Sequence, residues 1–168
     1  MFANWRYLTS GGRVEDPDFV LNQPRYRNAT ILVAGANFGC GSSREHAVWA
    51  LAEYGMRCII APSFGAIFHG NCVRNGVLPI VVSQHEVEEI VDALAAMATP
   101  ILKVDLVACA IETDEMKWSF SIAPRDRHAL LEGLDALGVT LKRMDEINSF
   151  ESAYRTARPW LFPDARSR

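Results

Sequence analysis

Residues 35–45 read Gly35-Ala36-Asn37-Phe38-Gly39-Cys40-Gly41-Ser42-Ser43-Arg44-Glu45, a glycine-rich stretch closing on hydroxyls, a guanidinium and a carboxylate. If a strand leads in and a helix leads out, the turn's backbone N–H groups and the positive end of the helix dipole converge on one point, which attracts an anion. The common phosphate motifs do not fit. G-x-x-x-x-G-K-[ST] would need Gly at 40 and Lys at 41, where Cys40 and Gly41 stand, and Gly39-Cys40-Gly41 lacks the third glycine of G-x-G-x-x-G. A hydrolase elbow centred on Ser42 would need Gly at 40 and 44, where the chain has Cys40 and Arg44. Cys40 with His46 stays open as a thiolate pair, without an identifiable group to orient the imidazole. What remains is Ser42-Ser43-Arg44, whose planar fork and hydroxyls suit a small carboxylate. Blander readings stand beside it. A serine at a helix start is commonly only a cap, Arg44 can be a solvated first-turn charge, Glu45 is explained by capping and His46 by packing or a supporting hydrogen bond.

The flanking residues supply the elements this loop needs. Ile31-Leu32-Val33-Ala34 is a short apolar run of the kind a buried strand shows. Ser42 and Glu45 have capping-box spacing, and Ala47, Ala50, Leu51 and Tyr54 mark an apolar face that Gly55 ends. Cys58-Ile59-Ile60-Ala61 then reads as a second buried strand, completing a βαβ unit. A helix opened by Ser63 and a strand at residues 78–82, with Pro79 at its start or on a sheet edge, repeat the pattern. Ser83 and Glu86 again have capping-box spacing, ahead of an apolar face. From Ile101 the period changes: residues 101–106, 110–111 and 118–122 suggest a small antiparallel addition with a turn at Thr113-Asp114-Glu115. Residues 125–137 and 144–157 read as helices. Residues 1–28 form a mainly irregular lead-in, residues 159–168 a tail, and 1–168 a single α/β domain.

Composition narrows the function classes. The chain has 168 residues, 17 Lys plus Arg against 20 Asp plus Glu, 49% hydrophobic and 22% charged residues, which excludes a disordered polar chain. At this size about 70% of the unfolded surface is buried on folding, enough for a core without disulfides or a structural metal. A net charge of -3 with mixed signs provides no broad cationic face, so neither nucleic acid nor a membrane surface is an expected partner. Cys40, Cys58, Cys72 and Cys109 show no C-x-x-C spacing and no metal cage, and read as reduced thiols. No apolar stretch reaches the roughly 20 residues that span a bilayer, and residues 1–10 lack signal-peptide regions, so the cytoplasm is the expected compartment.

Residues 35–47, Gly-Ala-Asn-Phe-Gly-Cys-Gly-Ser-Ser-Arg-Glu-His-Ala, resemble the signature of the small-subunit family of 3-isopropylmalate dehydratase, the isopropylmalate isomerase of leucine biosynthesis, within the aconitase superfamily. Asp18-Phe-Val-Leu-Asn-Gln-Pro-Arg-Tyr-Arg27, Ser63-Phe-Gly-Ala-Ile-Phe68, Asn71-Cys-Val-Arg-Asn-Gly-Val-Leu-Pro-Ile80 and Leu130-Leu-Glu-Gly-Leu-Asp135 extend the resemblance in family order over about residues 2–161. It implies the swivelling β/β/α three-layer domain found last in aconitase. It also implies a large-subunit partner carrying a [4Fe-4S] cluster, no cofactor on this chain, and a small hydroxy-dicarboxylate substrate. Ser42 resembles the family's catalytic base, and Ser43 and Arg44 its substrate-carboxylate binders. A serine hydroxyl can serve as a base only where its alkoxide is stabilised away from water, so the isolated chain is expected to be inactive. Glu45 and His46 are supporting candidates. His69, Asn71 and Arg74 are weaker ones, facing the site or the large subunit, while Trp5, Trp49, Trp118 and Trp160 read as core or interface anchors.

One departure accompanies the resemblance. The family begins some tens of residues earlier, with D-T-D-x-I-I-P and a loop that selects the substrate side chain, and neither precedes Met1 here. Tyr7-Leu8 is not that loop. The expectation is a chain lacking its N-terminal segment, through truncation or a start codon placed too late. Related hydro-lyase subunits acting on homocitrate-type or methyl-substituted malates, and a noncatalytic assembly domain, are the alternative readings.

Overall fold

A computed structural model of the chain describes residues 2–9, 14–42, 44–133 and 136–162. Ser43, the second serine of the signature, lies outside the described residues. The chain divides into two compact units, Met1–Gly133 and Leu134–Arg168.

In the first unit, β1 (Ile31–Val33), β2 (Cys58–Ala61) and β3 (Leu78–Val81) form a parallel sheet in that order, with Ile31 opposite Cys58 and Cys58 opposite Leu78. Parallel neighbours need crossovers, and α2 (His46–Tyr54) and α3 (Ala66–Arg74) provide them. β2 is central and buried along its length, which explains its unbroken apolar run. Pro79 lies in β3, which has a free side in this sheet, so its missing N–H is tolerated.

The two faces of the sheet bury different partners. Ile59 and Leu32 pack with Val48 and Leu51 of α2 and Phe68 and Cys72 of α3. Ile60, Ile80 and Val33 pack instead with Val87 and Ile90 of α4 (Gln84–Ala96) and with Ile111, Trp118 and Phe120. Those last residues belong to or adjoin an antiparallel sheet of β4 (Lys103–Asp105), β5 (Ala110–Glu112) and β6 (Lys117–Ser119). Helices, parallel sheet, and a third layer of α4 with the second sheet make a β/β/α arrangement, as the resemblance implies. Each fully buried Ile or Phe contributes about 1.5–3 kcal/mol through removal from water, so the parallel sheet is the main stabilising element.

Local rules explain most boundaries and correct several expected ones. The Ser83–Glu86 capping box forms: Ser83 Oγ accepts the Glu86 N–H at 3.2 Å, and the Ser83 N–H donates to Glu86 Oε2 at 2.7 Å. The expected box at Ser42 and Glu45 does not. Glu45 is itself the N-cap of α2, without a side-chain cap bond, and its carboxylate turns to Asn75. Ser63 does not open α3, whose N-cap is Gly65; its hydroxyl instead accepts the Asn37 N–H at 2.8 Å. The helix expected over 125–137 is interrupted. Gly133, left-handed at φ 62, ends α5 (Pro124–Glu132), and α6 (Ala136–Leu141) starts afresh in the second unit. The last strand ends at Ser119 rather than 122, and the first of the antiparallel set begins at Lys103 rather than 101. The Thr113 turn is present: the Thr113 N–H donates to the Met116 carbonyl at 2.8 Å.

Among the described residues of the lead-in, 2–28, there are one helical turn, α1 (Ala3–Arg6), a 3-10 turn at Val20–Asn22 and an antiparallel bridge between Tyr7 and Glu15. Buried Asn22 staples it, donating to the carbonyls of Arg6 and Asp16 while accepting from Arg6 Nε. Glu15 receives Arg6 and Arg27, which hold its carboxyl below the usual range. In the second unit, α7 (Met144–Ala157) matches the expected span, and Phe150, Tyr154 and Phe162 pack ring to ring.

Candidate active site

The loop leaving β1 is held by a second loop, the one between β2 and α3. Phe38 forms a parallel bridge with Phe64: the Phe38 N–H donates to the Ser63 carbonyl at 3.0 Å, and the Gly65 N–H donates to the Phe38 carbonyl at 2.9 Å. The rings of Phe38, Phe64 and Phe68 meet with centroids 5.4–6.4 Å apart. Two glycines make this approach possible. A Cβ on Gly39, at φ +75, would stand 2.2–2.6 Å from Phe68 ring atoms, and one on Gly65 would stand 2.9 Å from the Cα of Cys40. The motif's glycines therefore serve close packing of backbone on ring and backbone on backbone.

This packing delivers Ser42 to the surface between exposed Gly41 and exposed Arg44. The Ser42 N–H donates to the Gly39 carbonyl at 3.2 Å, and Ser42 Oγ accepts the Arg44 N–H at 3.4 Å. Ser42 is half-buried but not walled in. It lies four residues before the first residue of α2, so it is a loop residue ahead of the helix rather than the expected cap. Among the described residues the Arg44 guanidinium has no ion pair. The contacts of the hydroxyl are to the Arg44 main chain: it accepts the Arg44 N–H and lies 3.5 Å from the Arg44 carbonyl, and a main-chain donor at that oxygen favours negative charge on it.

The other sequence candidates separate. Glu45 accepts from Asn75 Nδ2 at 2.8 Å, and the His46 ring lies on Trp49, centroids 4.7 Å apart. Cys40 and His46 share no hydrogen bond among the described residues; the imidazole's ring partner is Trp49. Asn71 is buried and accepts from Arg74, so it faces the protein interior rather than the site. His69 lies edge-on to Phe64. Of the tryptophans, Trp118 is a core residue bonded to Glu89, whereas Trp5 is exposed and stacks on Phe2. The residue that sequence reasoning missed is Asn75. It lies within the quoted family segment, but only its three partners mark it out.

A cavity of about 430 Å3 opens beside Gly35, between the end of β1 and Val87, Glu88, Val91 and Asp92 of α4. Neither Ser42 nor Arg44 lines it. The start of the loop, at Gly35, borders this open cavity, whereas Ser42 and Arg44 lie outside it. The thiols do not match a cluster-binding set: Cys58 and Cys72 are buried in the core, burial pushing each thiol up to about 12, while Cys40 is exposed. Among the described residues no three His, Cys, Asp or Glu side chains converge as metal ligands.

Residues 1–85 match the family described as the aconitase C-terminal domain, and residues 138–164 match the C-terminal domain of the 3-isopropylmalate dehydratase small subunit. A 3-isopropylmalate dehydratase small subunit of Cupriavidus necator is 51% identical over 166 residues, 98% of this chain and 80% of that protein. One from Paramagnetospirillum magneticum is 50% identical over 162 residues, 96% of this chain and 80% of that protein. A crystal structure of 3-isopropylmalate dehydratase from Methanocaldococcus jannaschii superposes with a TM-score of 0.54 at 31% identity, covering 72% of this chain and 68% of that one.

Proposed function

Since the chain belongs to the family of 3-isopropylmalate dehydratase small subunits, we propose that its Ser42 loop supplies the proton-transfer half of that hydro-lyase. The reaction interconverts 2-isopropylmalate and 3-isopropylmalate by dehydration and rehydration, in leucine biosynthesis. Ser42 as alkoxide takes the proton alpha to one carboxylate, the C–H electron pair forms the double bond, and the hydroxyl on the neighbouring carbon leaves, taking a proton from an acid supplied outside this chain to depart as water. Rehydration then returns the proton and places the hydroxyl on the other carbon. Arg44 and Ser43 hold a substrate carboxylate, Arg44 through its planar fork. The Arg44 N–H at Ser42 Oγ stabilises the alkoxide, and Glu45, bonded to Asn75, and His46, against Trp49, have supporting roles.

The observation that carries this reading is the presentation of Ser42 and Arg44 on a tightly packed loop at an open face. A proton abstraction of this kind needs a site closed to water, and that closure is assigned to the large subunit. A [4Fe-4S] cluster there supplies Lewis-acid help to the departing hydroxyl. The complex works in the cytoplasm. No helix among the described residues is long and apolar enough to cross a membrane.

Reconstitution with the large subunit tests the reading. Ser42→Ala is expected to lower kcat on 2-isopropylmalate by on the order of 10²–10⁴-fold while the subunits still co-elute in gel filtration. Turnover at the wild-type rate would remove Ser42 from the role of base.

A further inference from the structure

Asn75, the residue directly after α3, makes three side-chain hydrogen bonds. Its Nδ2 donates to Glu45 Oε1 at 2.8 Å and to the Asn71 carbonyl at 2.8 Å, and its Oδ1 accepts the Trp49 indole N–H at 2.9 Å. The orientation of the amide is dictated by chemistry. An indole N–H can only donate, and a carboxylate or carbonyl oxygen can only accept, so oxygen must face Trp49 and nitrogen must face the other two. Asp at this position would turn a negative oxygen on two acceptors, and Gln would overreach by one methylene.

Asn75 is itself fixed. Its backbone N–H donates to the carbonyls of Asn71 and Cys72 at 3.1 Å, and the Asn71 side chain is buried and bonded to Arg74. The side chain thus ties a rigid helix end to two points on the first turn of α2: Trp49 and the N-cap residue Glu45. The Glu45 side chain caps no helix N–H. It stands one residue beyond Arg44, whose N–H reaches Ser42 Oγ.

We propose that Asn75 is a positioning residue for the reaction: through Glu45 it sets the exit of the Ser42–Arg44 loop against α3. The inference rests on the reading of that loop as the proton-transfer site. Glu45 adjoins Arg44, whose N–H reaches Ser42 Oγ, so a shift at Glu45 would be passed to that contact, and misplacement of about 1 Å can cost a reaction on the order of 100-fold. The Trp49 bond alone would anchor α2; the Glu45 bond carries the anchoring into the loop.

The test uses the reconstituted two-subunit complex. Glu45→Ala removes the link and leaves the Asn75–Trp49 bond, and is expected to lower kcat about tenfold with an unchanged thermal midpoint. Asn75→Asp is expected to lower it at least as far. The double variant Glu45→Gln/Asn75→Asp restores a donor–acceptor pair between the two side chains, because the Gln amide can donate to the Asp carboxylate, but still sets an acceptor against the Asn71 carbonyl; it is expected to be several-fold faster than Asn75→Asp without reaching wild type. Wild-type turnover in Glu45→Ala, or a double variant no faster than Asn75→Asp alone, overturns the proposal; the first of these decides even if Asn75→Asp fails to fold. Ser42→Ala, assayed beside them, separates the two claims. If it retains turnover while the rescue pattern holds, the base assignment fails and loop positioning stands; if it is dead while Glu45→Ala is unimpaired, positioning fails alone.

Discussion

At the scale of single residues, the loop that carries Ser42 is governed by what its glycines permit. Gly39 allows the chain to pass over the Phe68 ring at a distance no Cβ tolerates, and its positive φ adds a second penalty for any side chain. Gly39→Ala is therefore expected to destabilise the chain by about 2–4 kcal/mol in urea unfolding. It should also lower turnover of the reconstituted enzyme, because relieving the clash shifts either the Phe68 ring or the loop that carries Ser42. Gly41 has nothing within 4 Å of a built Cβ, so packing alone does not account for glycine there. Asn37, at φ +58, tolerates its left-handed backbone as Asn commonly does, and its N–H is received by Ser63.

At the scale of elements, the two expected capping boxes had the same spacing and different fates. At α4 the box forms because Ser83 has extended backbone at φ -64, ψ 159 and nothing else competes for Glu86. At α2, Glu45 has helical backbone and a better partner in Asn75. Ser83→Ala is expected to cost about 1 kcal/mol of stability. The hydrogen bonds from Ser83 hold the Glu86 carboxyl below its usual range, so the unfolded chain takes up that proton at a higher pH than the folded one. The resulting stability is fully present above the ordinary glutamate value of about 4.3 and is lost as pH falls through the depressed folded value. Denaturation of wild type and Glu86→Gln across pH 3–7 should show a gap that is constant near neutrality and closes in acid.

At the scale of the whole molecule, the first unit carries the Ser42 loop on a buried core, with Gly41 and Arg44 exposed beside it. Its thiols report on that core. Cys58 and Cys72 lie in the core with their thiols raised to about 12, whereas Cys40 is exposed. A thiol reagent at pH 8 is expected to label Cys40 rapidly, Cys109 more slowly, and Cys58 and Cys72 only at the rate at which the fold opens; peptide mapping of the labelled chain checks the order. Rapid labelling of Cys72 would show that α3 separates readily from the sheet.

The sequence by itself determined the parallel core, because continuous apolar runs separated by helix-length segments have few other solutions, and it marked Ser42-Ser43-Arg44 as a set suited to a small carboxylate, beside the plainer readings of cap and solvated charge. It also carried the family signature. Tertiary structure alone decided where Glu45 points, that Ser63 serves Asn37 rather than a helix, and that Asn75 joins α2 to α3. Spacing along a chain fixes which partners are near in sequence, while a side chain's hydrogen bond goes to the best geometry available among neighbours brought in from elsewhere. For Glu45 that neighbour is thirty residues away.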